Sequence, residues 1–190
     1  ELEAIGLTVE VQEVAPGRPN VVGTLAGRAP GRSLMLCGHI DTVGVSGMAA
    51  PFDPVVRDGR MYGRGSQDMK SGVAAMIDAV RVVAEGGGLD AGRVVVACVV
   101  DEEHSSIGAD ALVTRWRADA GIVTEPTDLD VAVCHKGFAW SEVVTTGRAA
   151  HGSRPADGID AIVHMGRVLA ALGDLARQLQ AGARHARLGA

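Results

Sequence analysis

Residues 94–103 read Val-Val-Val-Ala-Cys-Val-Val-Asp-Glu-Glu, an unbroken apolar run that ends in three consecutive carboxylates, Asp101, Glu102 and Glu103. A run of this kind predicts a strand buried on both faces, because a half-solvated strand alternates polar and apolar residues instead. In an α/β sheet, groups at the carboxyl ends of such strands face the crevice where ligands bind. The competing reading is a solvated acidic turn. The choice between them depends on whether neighbouring strands deliver partners that call for clustered negative charge.

They do on both sides. Upstream, residues 33–37 form a short, mostly apolar run that discharges into Gly38-His39-Ile40-Asp41. His39 and Asp41 lie two apart and share a face if the strand continues. A carboxylate so placed can take the second ring N–H of an imidazole and aim the other nitrogen at a metal. Downstream, the apolar run 120–123 leads into Thr124 and Glu125. Between them, residues 61–72 are a glycine-rich loop feeding a helix whose apolar positions Val73, Met76, Ile77, Val80 and Val83 fall at helical spacing. Asp68 lies at the junction of loop and helix, where an N-cap is the competing role. The loop matches neither GxxxxGK[ST] nor GxGxxG, which speaks against a nucleotide site. Residues 8–14 and 20–26 read as two strands around the breaker Ala-Pro-Gly-Arg-Pro, and 108–117 as a short helix. Strands alternating with helices, each led out by an acid or a histidine, predict an α/β fold: a mixed, largely parallel sheet flanked by helices.

Composition narrows the functional class. With 190 residues and 47% hydrophobic content the chain can bury a full core. A net charge of −5, no Lys/Arg run and only 3% aromatic residues argue against nucleic-acid partners, which need a basic face or stacking platforms. Cys37, Cys98 and Cys134 are widely spaced among aliphatic residues and read as buried hydrophobes in a reducing compartment. No apolar stretch is long enough to span a membrane, and the first residues carry no basic-then-apolar leader. The expectation is a soluble, cytoplasmic protein. Residues 1–7 begin without Met and read like the last turn of a helix, which suggests a piece of a longer chain.

Asp68, Glu102, Glu103 and Glu125 gathered in one site would repel each other, and a metal is the simplest remedy. One histidine with several carboxylates suits zinc or a similar ion, and a bridging carboxylate would make a two-metal hydrolytic centre. The motifs GHIDTV (38–43), GRGSQDMKSG (63–72), DEEHSSIGA (101–109), TEPTDL (124–129) and AHGSRPADGIDAI (150–162) together resemble the zinc-dependent aminoacylase and carboxypeptidase family. The likeness is strongest to its acetylornithine deacetylase and succinyl-diaminopimelate desuccinylase branch. It implies a zinc-peptidase-like catalytic domain over 1–135 and, over 136–190, the start of an α+β lid and dimerisation domain with a strand at 138–146 and a helix at 159–179.

The resemblance also implies roles. His39 and Glu125 would hold one metal, Asp68 would bridge two, and Glu103 would hold the second. Asp41 would orient His39, a cis peptide would follow Asp68, and Glu102 would serve as general base. His151 would stabilise the oxyanion from a partner subunit. The cofactors implied are two divalent metal ions, zinc first, with cobalt or manganese as alternatives. The implied reaction is hydrolysis of an amide bond in an N-acyl amino acid or small peptide by a metal-activated water, in a homodimer. A dipeptidase or carboxypeptidase on the same scaffold is an alternative, and so is an inactive metal-binding or interaction fragment. The pattern departs from the family where the second terminal histidine is expected. His185, among Gly, Ala and Arg, does not resemble that ligand.

Overall fold

The structure, a computed structural model, describes residues 1–137 and 139–189. It divides into two compact units, Glu1–Leu129 and Asp130–Ala190.

In the first unit the elements run β1 (Thr8–Ala15), β2 (Arg18–Ala26), β3 (Ala29–His39), β4 (Val55–Arg57), β5 (Arg60–Tyr62), α1 (Lys70–Glu85), β6 (Ala91–Val99), α2 (Ile107–Arg115) and β7 (Ala120–Val123). The main sheet has the order β1-β2-β6-β3-β7. Strands β6, β3 and β7 are parallel, while β1 and β2 join antiparallel on the other side, giving a mixed sheet flanked by helices. The apolar run at 94–100 is therefore an interior strand, paired with β2 on one edge and β3 on the other.

That interior position explains why the run does not alternate with polar residues. Val96 and Cys98 face one side of the sheet, where they pack with Leu36 of β3 and with Met76 and Val80 of α1. Val95, Ala97 and Val99 face the other, where Leu112 of α2 and Val22 of β2 complete a second cluster. Each strand position feeds one of two cores because successive side chains point to opposite faces. Met69, just before α1, is fully buried, and a Cβ at Gly72 in the first turn of α1 would meet the Thr124 carbonyl oxygen. The absence of a side chain at Gly72 lets α1 start directly against the end of β7.

The segment after β3 contains a hairpin, β4–β5, whose second strand overlaps the start of the glycine-rich loop expected from residue 61. Its turn is Asp58-Gly59, both with positive φ, 50° and 73°. Asp-Gly is a favoured pair for such turns, so the signal was present.

In the second unit, α3 (Ala161–Ala181) appears as expected. Asp160 caps it, its carboxylate accepting from the Ile162 and Val163 amides at 2.9 and 3.0 Å. The strand expected at 138–146 is not formed by residues 139–146, and Phe138 lies outside the described residues. Among the described residues of this unit only the bridges Arg148–Ile159 and His185–Gly189 pair in β fashion, so 139–146 has no neighbouring strand to complete its backbone hydrogen bonds. No helix of the described residues is long and apolar enough to cross a membrane.

Candidate metal centre

The register of the parallel strands brings the site together. His39 pairs with Val99, and Cys37 with Val123, so β3, β6 and β7 finish nearly level. The residues that follow, Asp41, Asp101 to Glu103 and Glu125, emerge at one edge of the sheet.

His39, the last residue of β3, is only 2% exposed. Its Nδ1 lies 3.0 Å from the Asp41 backbone carbonyl and 3.6 Å from the Asp41 carboxylate. The carbonyl is therefore the closer acceptor for Nδ1–H, which leaves Nε2 to meet the carboxylates. Nε2 faces three carboxylates: Asp68 at 3.0 Å, Glu125 at 3.7 Å and Glu102 at 3.9 Å. The Asp41 carboxylate instead accepts from the Glu102 and Glu103 amides at 3.1 and 3.2 Å. Asp41 thus orients the imidazole through its main chain and holds the acidic turn through its side chain.

Asp68 does not cap α1. The cap position is Met69, and no side chain bonds there. The Asp68–Met69 peptide is cis, and the Asp68 carboxylate turns toward His39. Lys70 Nζ donates to the Ile40 carbonyl at 2.8 Å, tying the start of α1 to the chain just beyond β3.

Electrostatics match the crowding. Burial pushes Glu102 up, with Glu103, Asp41 and Asp68 adding to it and His39 opposing. Burial likewise pushes Glu125 up, against His39 and together with Asp68, Glu102 and Glu103. Burial draws His39 down, yet the Asp68 hydrogen bond, Glu125, the Asp41 carbonyl and Glu102 outweigh it and hold the imidazole above its ordinary value. Carboxylates driven toward protonation around one imidazole mark a deficit of positive charge that a divalent cation would make good.

The donor atoms fit such an ion. His39, Glu102 and Glu125 each offer one ligand atom within 4.8 Å of the others, and His39, Asp68 and Glu103 do the same. Nitrogen and carboxylate oxygen bind zinc at roughly 2.0–2.2 Å, so atoms this close can share an ion.

The structure therefore brings together His39, Asp41, Asp68, Glu102, Glu103 and Glu125. His151 belongs to the second unit, exposed, with Nδ1 2.9 Å from Ser153 Oγ. His185, in the same unit, has Nδ1 3.3 Å from the Arg187 and Leu188 amides. Cys37, Cys98 and Cys134 are free; burial pushes Cys37 and Cys98 up to about 11, as expected of inert, enclosed thiols.

Sequence reading assigns no role to two further residues. Asn20 is fully buried, and its side chain accepts from the Val100 amide at 3.0 Å while donating to Gln12 at 2.9 Å and to the Gly108 carbonyl at 2.8 Å. It joins the end of β6 to the start of α2. Asp101 is buried and bonded by Arg18 and by the Ser105 hydroxyl. Led by the Ser105 hydrogen bond, and against the pull of burial, these partners and His104 hold its carboxyl below the usual range. A lone polar residue entering an apolar strand, as Asn20 does, is the one signal that could have been followed.

A mixed sheet with a buried histidine and converging carboxylates at its strand ends makes an α/β domain with a candidate metal-binding site. The chain belongs to peptidase family M20/M25/M40, whose model matches residues 35–186. It is 37% identical over 172 residues to an acetylornithine deacetylase of Photorhabdus laumondii, covering 85% of this chain and 43% of that protein. It is 34% identical to an acetylornithine deacetylase of Proteus mirabilis, covering 94% and 47%. Among solved structures it resembles a tripeptidase of Staphylococcus aureus, with a TM-score of 0.65, 26% identity, and 89% of this chain and 48% of that one covered. An aminopeptidase of Bacillus cereus shares the fold, with a TM-score of 0.61, 23% identity, and 89% and 48% covered. The chain spans about half the length of the curated relatives it matches.

Proposed function

We propose that the protein is a metal-dependent amidohydrolase acting on an N-acyl amino acid or small peptide. The observation that carries this reading is His39 Nε2 facing Asp68, Glu125 and Glu102 within 3.9 Å at the carboxyl edge of the sheet. His39 and Glu125 would hold one ion, Asp68 would bridge to a second, and Glu103 would belong to the second. A bound divalent ion, zinc first, would polarise the substrate carbonyl and make water a stronger acid.

The remaining work falls to the chain itself. The Asp41 carbonyl keeps the proton on Nδ1, so that Nε2 remains a ligand. Glu102, raised by burial, can accept a proton from the attacking water and return it to the leaving nitrogen, the task of a general base. Glu125 is raised too, so its shift does not separate the roles. What favours Glu102 as base is the family resemblance. His151 as oxyanion donor, a homodimer and a cytoplasmic setting belong to the same reading.

The acetylornithine deacetylase relatives favour an N-acyl amino acid as substrate. The likeness to a tripeptidase at 26% identity supports peptide hydrolysis as the second reading. Zinc-supplemented assays on N-acetylornithine, N-succinyl-diaminopimelate and di- and tripeptides distinguish them. The expected result is chelator-sensitive hydrolysis of one class, with Glu102→Ala retaining metal and losing turnover. Normal turnover in Glu102→Ala would remove it as base, and no hydrolysis of any of these substrates with metal bound would overturn the reading.

A further inference from the structure

We infer that Arg18 and Asp101 form a clasp between the β1–β2 hairpin and the turn after β6, and that this clasp positions Glu102 and Glu103 toward His39. Its consequence for metal binding rests on the amidohydrolase reading above.

The two ends of the clasp differ in environment. The Arg18 side chain is 56% exposed, while that of Asp101 is 5% exposed. An exposed ion pair is worth little, but a buried carboxylate that loses its cation is left desolvated and uncompensated. Asp101 is also the first of three acids in sequence, so its charge repels the next two unless it is neutralised from the opposite side. Arg18, at the start of β2, supplies the opposite charge, and the Ser105 hydroxyl adds a second bond.

The backbone at Asp101 fits this role. Its φ is 60°, the left-handed region in which aspartate is among the more tolerated residues. Its carbonyl accepts from the Ser105 and Ser106 amides at 3.2 and 2.6 Å, which closes the turn. The turn is thus held from two directions. From β3, the Asp41 carboxylate binds the amides of Glu102 and Glu103. From β2, Arg18 binds the side chain immediately before them. Neither Arg18 nor Asp101 belongs to the donor groups around His39. They are positioning residues, acting through the turn they hold.

The test compares wild type, Arg18→Met, Arg18→Lys and Arg28→Met. Arg28 forms an exposed pair with Asp90, also donates to the Gly87 carbonyl, and controls for loss of a surface charge. Two measurements are made: hydrogen exchange of the Glu102 and Glu103 amides in metal-free protein, and Zn²⁺ affinity by calorimetry. Arg18→Met is expected to speed both amides while leaving those of β1 unchanged, and to weaken Zn²⁺ binding ~10-fold or more. Arg18→Lys should restore part of both, since one nitrogen of Arg18 makes the bond, and Arg28→Met should change neither. Unchanged exchange in Arg18→Met, equal acceleration throughout the sheet, or faster exchange without weaker Zn²⁺ binding would each overturn the clasp. If Arg18→Met does not fold, Asp101→Asn, close in shape and still able to accept from Ser105, is held to the same outcomes. Wild-type protein that binds no Zn²⁺ would overturn the amidohydrolase reading, and the exchange measurement would still decide the clasp.

Discussion

Helices α1 and α3 carry the same signal in sequence and meet different fates. Both are amphipathic, 16 and 21 residues long. Helix α1 has no side-chain cap, yet it buries Met76 and Val80 against the sheet. Helix α3 is capped by Asp160 through two amides, yet buries no residue among those described, and Leu169, Leu172 and Leu175 are all exposed. One helix is fixed by what it packs against, the other by how it begins. Helical periodicity therefore shows which face would be buried, and only a partner decides whether it is.

The largest expected effect lies in α1. Met76 is 2% exposed and touches both sheet and strand-end residues, so Met76→Ala should cost about 2–5 kcal/mol through lost burial and the cavity left behind. Denaturant unfolding followed by a probe in the first unit measures it. A loss below about 1 kcal/mol would mean that α1 does not depend on its packed face, and the contrast with α3 would collapse.

Gly72→Ala sharpens the same side of the comparison. The new Cβ would meet the Thr124 carbonyl oxygen, so either α1 or the end of β7 must move. A cost of about 1–3 kcal/mol is expected, as for overpacking generally. Glu125 follows Thr124, so Zn²⁺ affinity should fall with it. Destabilisation with unchanged Zn²⁺ affinity would show that neither Asp68, just before α1, nor Glu125, just after β7, is displaced.

The site was legible wherever a strand announced its own end. The runs at 33–37 and 94–100 are interior strands and 120–123 is an exposed edge strand, yet within two or three residues of each end lie His39, Glu102, Glu103 and Glu125, the residues the structure gathers. What could not be read depends on atoms rather than residues, or on chain distance. Spacing alone cannot show that Asp41 meets His39 through its carbonyl and spends its carboxylate on two amides. Arg18 and Asp101 are separated by 83 positions, and only the antiparallel register of β2 on β6 brings the start of one to the end of the other. Residues 139–146 of the segment expected as a strand at 138–146 form none for a related reason: a β pattern states a preference, and pairing requires a neighbour.

On the other side of the comparison, Asp160→Ala removes the cap that holds α3. A cap of this kind is worth about 1 kcal/mol, and with no buried face to compensate, the loss should show as fraying of the first turn. Backbone chemical shifts at Ile162 and Val163 report it directly. Helical shifts unchanged in the variant would mean that α3 has support beyond its cap.

The smallest effect is expected at Leu169, 61% exposed in the middle of α3. Leu169→Ala should change stability by no more than about 0.5 kcal/mol, since the side chain gains little from burial that it does not have, and alanine favours a helix slightly more than leucine. The value of this null result lies in its concentration dependence. If α3 packs against a second copy of the chain, as a homodimer would allow, Leu169 is buried in the assembly, and truncation weakens association while leaving the monomer unchanged. Sedimentation of wild type and Leu169→Ala over a range of concentrations separates the cases. A wild-type dimer lost in the variant would place α3 beside α1 as a helix held by its apolar face. Identical monomeric behaviour would leave the cap as the feature that defines it.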